Sequence, residues 1–266
     1  MTGGELDARV ALVTGSSRGI GRATSVALAA RGARVVMTAR GRADLEEAAE
    51  EVAARGPAPR IEECDFENPA DIEALFDRLL TDGLAVDILV NNVGIARMAR
   101  FEDVPDEEWR RDWELNVMSA VRCCRRALPA MHRKGWGRIV NVASSAAKRP
   151  SARWPHYATT KAALLGLTMA LADAHGRDGI TINAVCPGPV ASPLWTAPGG
   201  LADAVAEARG GSPDAVLQEI GERIPIGRMG EPEEIGEVIA FLCTDAARYV
   251  HGAALSVDGG NVRIVV

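Results

Sequence analysis

Only two tyrosines occur in these 266 residues, Tyr157 and Tyr249, and aromatic residues make up 4% of the chain. Each tyrosine therefore stands out as a candidate for something other than bulk packing. An excess of positive charge is also missing: the net charge is −6, which excludes a dominant nucleic-acid-binding face. No apolar run approaches the ~20 residues needed to span a bilayer, so no membrane partner is expected. The opening Met-Thr-Gly-Gly-Glu-Leu-Asp lacks the basic segment and apolar stretch of a secretory leader. Cysteine is sparse, and Cys64, Cys123, Cys124, Cys186 and Cys243 form no Cys-x-x-Cys pair. They read as small reduced core residues, as expected of a cytoplasmic protein. His132, His156, His175 and His251 show no paired ligand spacing, so no metal is expected.

What remains is an ordinary globular composition, 47% hydrophobic and 25% charged, long enough for one α/β domain with a large core. Short β-branched runs alternate with longer helical patterns. Strands are expected at 10–14, 34–38, 61–64, 88–91, 138–143, 181–185 and 254–257. Helices are expected at 20–31, 43–54, 70–80, 106–132, 156–173 and 233–242. Seven strands alternating with helices predict a doubly wound parallel sheet with helices on both faces. No repeat or linker divides the chain, so residues 1–266 form one domain. Residues 191–227 break the rhythm, being rich in Pro and Gly with two short helical patterns. An insertion so late in such a sheet falls near the carboxyl ends of the strands and is read as a substrate lid.

Between the first strand and first helix runs Thr14-Gly15-Ser16-Ser17-Arg18-Gly19-Ile20-Gly21. Gly15 permits a tight turn, Gly19 a close backbone approach to a pyrophosphate, and Gly21 close helix packing. The helix N-terminus adds partial positive charge. Far downstream, Tyr157 and Lys161 are four residues apart at the start of a helical run and share one face. An ammonium placed there lowers a phenol's pKa from about 10 toward neutrality, so that it exchanges protons at physiological pH.

The glycine spacing Gly-x-x-x-Gly-x-Gly together with Tyr-x-x-x-Lys resembles the short-chain dehydrogenase/reductase family, nearest to carbonyl reductases like the 3-oxoacyl-acyl-carrier-protein reductases. The likeness runs from about Leu6 to Asn261. Asn91-Asn92-Val93-Gly94 matches the family's Asn-Asn-Ala-Gly, with Val93 in place of alanine; Asn116, Ser144 and Pro187-Gly188 follow in the family's order. The resemblance implies a single-domain Rossmann-type fold with Asn116, Ser144, Tyr157 and Lys161 as catalytic residues. Tyr157 would donate a proton to the forming alkoxide, with Ser144 orienting the same oxygen. Lys161 would depress the Tyr157 pKa and bond the nicotinamide ribose, and Asn116 would hold a water linking Lys161 to solvent. The cofactor would meet Gly15, Ser17, Arg18, Gly19, Ile20, Gly21, Asp65, Phe66, Asn92, Gly94, Pro187, Gly188, Val190 and Ser192, besides Tyr157 and Lys161.

At the end of the second strand the chain reads Met37-Thr38-Ala39-Arg40, with no acid to bind a ribose 2′-OH. Arg40 and Arg18 instead suit a 2′-phosphate, so NADPH is expected in preference to NADH. The expected activity is interconversion of a ketone and a secondary alcohol by hydride transfer. The alternatives are reduction of a 3-oxoacyl thioester and, in a different class, a non-catalytic NADPH sensor. Ser144, Trp154, Tyr157 and Trp195 are the candidate substrate contacts, joined by Ile95, Met98 and Leu194. The cations Arg97, Arg100, Lys148, Arg149 and Arg153 are either a thioester-binding rim or solvated charge. His156 adjoins Tyr157 and is a further candidate to touch substrate, though its neighbours on a helix point elsewhere. By resemblance, a homotetramer would form through 106–132 and 156–173, with 254–266 at a second interface.

Overall fold

Residues 4–264 are described by the computed structural model of the protein. Seven strands form one parallel sheet: β1 (Val10–Thr14), β2 (Arg34–Ala39), β3 (Arg60–Glu63), β4 (Ile88–Asn91), β5 (Gly137–Val142), β6 (Ile180–Pro187) and β7 (Ala254–Val257). Their order is β3-β2-β1-β4-β5-β6-β7. The register sets Val13 between Met37 and Val90, and Val140 beside Asn183. Every residue of β1, β4, β5 and β6 is buried, which is why these strands read as near-continuous apolar runs: helices cover both faces.

On one face lie α1 (Gly19–Ala30), α2 (Arg42–Ala53) and α11 (Pro232–Leu242), sealing a core that includes Leu28, Val35, Leu45, Val90 and Ile239. A Cβ on Gly236 would sit 2.8 Å from the Ala23 backbone, so only glycine lets α1 and α11 approach this closely. On the other face α3 (Pro69–Thr81), α5 (Ser119–Lys134) and α7 (Pro155–His175) cover a core that includes Leu12, Ile72, Leu89, Met131 and Ile182. Local chemistry fixes the helix starts. Asn68 caps α3 by accepting from the Ala70 N–H, with Pro69 at the first helical position. Glu231 and Glu234 close a capping box on α11, a motif that satisfies two otherwise unpaired donors.

The expected helix 106–132 is broken. It comprises α4 (Asp106–Trp113), a π-helical turn over Glu114–Met118, and α5. Asn116 in the turn is a poor helix former, and its side chain bonds outside its own helix (below). Such a π-turn frequently marks a functional position. The short α6 (Ser145–Lys148) and α8 (Pro193–Thr196) escape the periodicity reading because one turn carries no period. Residues 191–227 fold as α8, α9 (Leu201–Arg209) and α10 (Pro213–Arg223) over small apolar clusters of their own.

All five cysteines are buried and free. Burial pushes the thiols of Cys64, Cys124 and Cys243 up to about 12, so they stay protonated and inert. Among the described residues no helix is long and apolar enough to cross a membrane.

Candidate active site

The strand order reverses between β1 and β4, and a cleft of about 950 Å³ opens at the carboxyl ends of the strands, where this topology places ligands. Its floor is the glycine loop. Gly15 and Gly19 hold φ of +65° and +54°, the left-handed region that suits glycine. A Cβ on Gly21 would lie 2.3 Å from the Gly15 carbonyl oxygen. Asn92 fixes the loop by donating from Nδ2 to the carbonyls of Thr14 (2.8 Å) and Gly15 (2.9 Å). No side chain caps α1 at Arg18, so the first N–H groups of that helix remain free for an anion.

Along the cleft lie Gly15, Ser17, Arg18, Gly19, Ile20, Arg40, Asp65 and Phe66 at one end, then Asn92, Gly94, Pro187, Gly188, Val190 and Ser192. Gly21 and Asn116 are not part of the lining; both act from behind it. Arg40 is two-thirds exposed and only 4.0 Å from Glu67, whereas Arg111 grips that carboxylate at 2.9 Å. Arg111 thus occupies Glu67 and leaves Arg40 free to meet a phosphate. Asp65 accepts from the Glu67 N–H through Oδ1 at 3.0 Å, shaping the turn after β3. The donors present suit a dinucleotide carrying a 2′-phosphate: free helix N–H groups, a loop where side chains would clash, and two exposed guanidiniums.

Midway, three elements bring the candidate catalytic side chains together. Ser144 lies two residues past the end of β5 and caps α6, its Oγ accepting from the Ala146 N–H at 3.0 Å. Tyr157 and Lys161 project from the first turns of α7. Lys161 is buried and donates from Nζ to the Val142 carbonyl at 2.8 Å, with Nζ 5.9 Å from the centre of the Tyr157 ring. Burial lowers the ammonium to about 8. The Tyr157 phenol is raised by burial, with the Ser144 hydroxyl pulling it back down. Desolvation sets the direction of that shift.

Asn116 is fully enclosed behind them. Its Oδ1 accepts from the Ile95 N–H at 2.8 Å, and its Nδ2 donates to the Ile95 carbonyl at 3.1 Å and to Thr160 Oγ1 at 3.0 Å. The side chain thus staples the segment after β4 to α7. A Cβ on Gly94 would meet Asn116 Oδ1 at 2.9 Å and Lys161 Nζ at 3.1 Å.

The far end of the cleft is apolar. Trp154 packs edge-on against both Tyr157 and Trp195, with ring centres 6.4 and 6.1 Å apart. Ile95, Met98 and Leu194 line the same space. The suspected cationic rim divides. Arg149 and Arg153 line the cleft, but Arg97 pairs with Glu108, Arg100 with Glu102, and Lys148 donates to the Ala254 carbonyl at 2.6 Å. Arg209 and Arg223 of the 191–227 segment also reach the lining; only the folding of α9 and α10 over the site reveals them. Nor did spacing reveal the buried Asp112, which sits behind Tyr157 against His156. His156, a candidate substrate contact by its position beside Tyr157, does not line the cleft: α7 turns it inward against Asp112.

A sequence profile described as enoyl-(acyl carrier protein) reductase matches residues 15–261. The chain is 38% identical over 259 residues to a D-beta-hydroxybutyrate dehydrogenase of Cupriavidus necator, covering 97% of this chain and 99% of that one. It is 36% identical over 254 residues to a 3-oxoacyl-[acyl-carrier-protein] reductase of Escherichia coli, covering 96% and 97%. Among solved structures, L-sorbose reductase from Gluconobacter frateurii, complexed with NADPH and L-sorbose, superposes with a TM-score of 0.91 at 35% identity, covering all of both chains. An actinorhodin polyketide ketoreductase with NADPH gives 0.91 at 34% identity, covering 96% of this chain and 98% of that one.

Proposed function

The chain belongs to the short-chain dehydrogenase/reductase family, and from that premise we propose that Ser144, Tyr157, Lys161 and Asn116 serve hydride transfer in its cleft. It is an NADP(H)-preferring oxidoreductase acting on a ketone and secondary alcohol pair. The observation that carries the reading of the site is the meeting of Ser144, Tyr157 and Lys161 midway along a cleft whose other end is built for a phosphorylated dinucleotide.

Bound NADPH supplies a hydride to the carbonyl carbon. Ser144 orients the carbonyl oxygen by donating a hydrogen bond to it. Tyr157, kept protonated by burial, gives its phenolic proton to the oxygen, so the product is a neutral secondary alcohol. Lys161, still mainly cationic at pH 7 with a pKa of about 8, stabilises the phenolate left behind. Asn116 holds α7 and the segment after β4 in register, so that the distances survive turnover. One positioned proton donor contributes roughly 10²–10⁴-fold, and the orientation fixed by the cleft contributes much of the remainder.

The substrate we infer is a small free ketone or its alcohol, seated beside Trp154 and Trp195 beneath a lid formed by residues 191–227. The second reading, a 3-oxoacyl thioester, is favoured by Arg149, Arg153, Arg209 and Arg223 around the lining. NADPH consumption with a panel of free ketones and with a 3-oxoacyl thioester separates the two. Tyr157→Phe should abolish turnover on either while leaving NADPH binding intact. Near-normal turnover in that variant overturns the mechanism, and binding without turnover on any carbonyl favours the sensor reading.

A homotetramer is supported by the outward face of α7, where Ala162, Gly166, Met169 and Ala170 are exposed, a small apolar face suited to close helix packing. The second expected interface, 254–266, includes Val265 and Val266, which lie outside the described residues. Five reduced cysteines support a cytoplasmic setting.

A further inference from the structure

At the opposite end of the sheet from the cleft, beside the starts of β5 and β6, His132 meets two potential ligands more than forty residues further along the chain. His132 lies in the last turn of α5, His175 is the last residue of α7, and Asp178 sits in the 3₁₀ turn that follows. His132 Nε2 is 3.0 Å from His175 Nδ1 and 3.2 Å from Asp178 Oδ2, and His175 Nδ1 is 3.6 Å from the same oxygen. These separations bracket the edge of about 3.3 Å in a tetrahedron with metal–ligand bonds of about 2.0–2.1 Å. A point at that bond length from all three atoms lies about 0.7 Å outside their plane, as one face of a tetrahedral site requires.

Two features of the fold favour a cation here. Two helix C-termini meet at the site, each bringing partial negative charge. The scaffold is also tight. The caps Gly135 and Gly179 are both left-handed, and a Cβ on Gly179 would sit 2.3 Å from the Gly135 carbonyl oxygen. His251 ties down the end of α7, its Nε2 lying 2.8 Å from the Ala172 carbonyl oxygen while Nδ1 accepts from the Ile182 N–H at 3.2 Å. The three ligand side chains are partly exposed, so a metal can reach them from solvent.

We propose that His132, His175 and Asp178 form a site for a divalent transition metal of borderline softness, with zinc as the type case, water completing the tetrahedron. Two imidazoles and one carboxylate suit zinc, cobalt, nickel or copper and disfavour magnesium and calcium, which demand all-oxygen shells. The metal joins the ends of α5 and α7. It takes no part in the chemistry of the cleft.

The test uses the full chain, stripped with a chelator and dialysed. Cobalt(II) should bind one equivalent with the intense visible bands of tetrahedral coordination, and zinc should displace it. Zinc should raise the thermal midpoint, whereas magnesium should not. Both signals should disappear in His132→Gln and in His175→Gln. Metal-free turnover of these variants should match that of the wild type, showing that they are folded. Absence of the cobalt bands in the wild type overturns the proposal, as does binding that survives both substitutions.

Discussion

Asp112 Oδ2 and His156 Nε2 face each other at 3.6 Å, both buried, behind Tyr157. Neither that oxygen nor either imidazole nitrogen has a hydrogen-bond partner among the described residues. Burial raises the Asp112 carboxyl to about 6 and lowers His156, so at neutral pH an anion faces a neutral ring. A buried charge without full compensation costs stability.

Asp112→Asn should therefore stabilise the protein at pH 8, by roughly 1–3 kcal/mol. The folded pKa lies above the unfolded value of about 3.9, so the folded state holds the proton more tightly. That contribution is fully present below about pH 4 and is lost as pH rises through about 6. Denaturant unfolding of both proteins at pH 8 and pH 4 checks this: the gain should shrink at the lower pH. An equal difference at both pH values sinks the argument.

Lys161→Met should show stability and activity moving in opposite directions. The folded pKa of about 8 lies below the unfolded value of about 10.4, so the fold disfavours the ammonium. Wild-type stability should rise between pH 8 and about 10 from this group, and the methionine variant should lack that rise. Without cofactor the variant should be more stable at pH 7 by roughly 1–3 kcal/mol, while turnover falls by roughly 10²–10⁴-fold. Thermal unfolding and steady-state kinetics on the same samples decide it.

Arg40→Asp should invert cofactor choice. A carboxylate at this position repels a 2′-phosphate and accepts from a ribose 2′-OH. Fluorescence titration with NADPH and NADH side by side should show NADPH affinity falling by about tenfold or more, a loss of about 1.4 kcal/mol or above. Unchanged preference would mean that Arg40 does not read the phosphate.

Gly21→Ala should weaken cofactor binding more than its single methyl suggests. The new Cβ would lie 2.3 Å from a backbone oxygen of the phosphate loop, so the loop itself must shift. A cost of roughly 1–3 kcal/mol is expected for such overpacking. It should be read in NADPH affinity and in the thermal midpoint together. Wild-type affinity with wild-type stability would show that the loop yields freely.

Periodicity alone located the strands and most of the helices, because a strand buried on both faces is a continuous apolar run and an amphipathic helix repeats every 3.6 residues. Glycine at 15, 19 and 21 was legible for a similar reason: only one residue type tolerates those conformations and contacts. Asn116 was visible as an anomaly in a helical pattern, but the π-turn and the bonds to Ile95 and Thr160 were not, since their partners lie 21 and 44 positions away.

The sequence by itself determined the layered α/β architecture, the phosphate loop and the Tyr157–Lys161 spacing, all of which rest on neighbours within a few residues. The tertiary structure alone decided the proton affinities, because burial depends on what the whole fold places around a group. Burial is what raises Tyr157 and lowers Lys161. Tertiary structure also decided which arginines reach the cleft, the enclosure of Asp112 with His156, and the meeting of His132 with His175 and Asp178. Each of these depends on distances that close only when the sheet stacks its helices side by side.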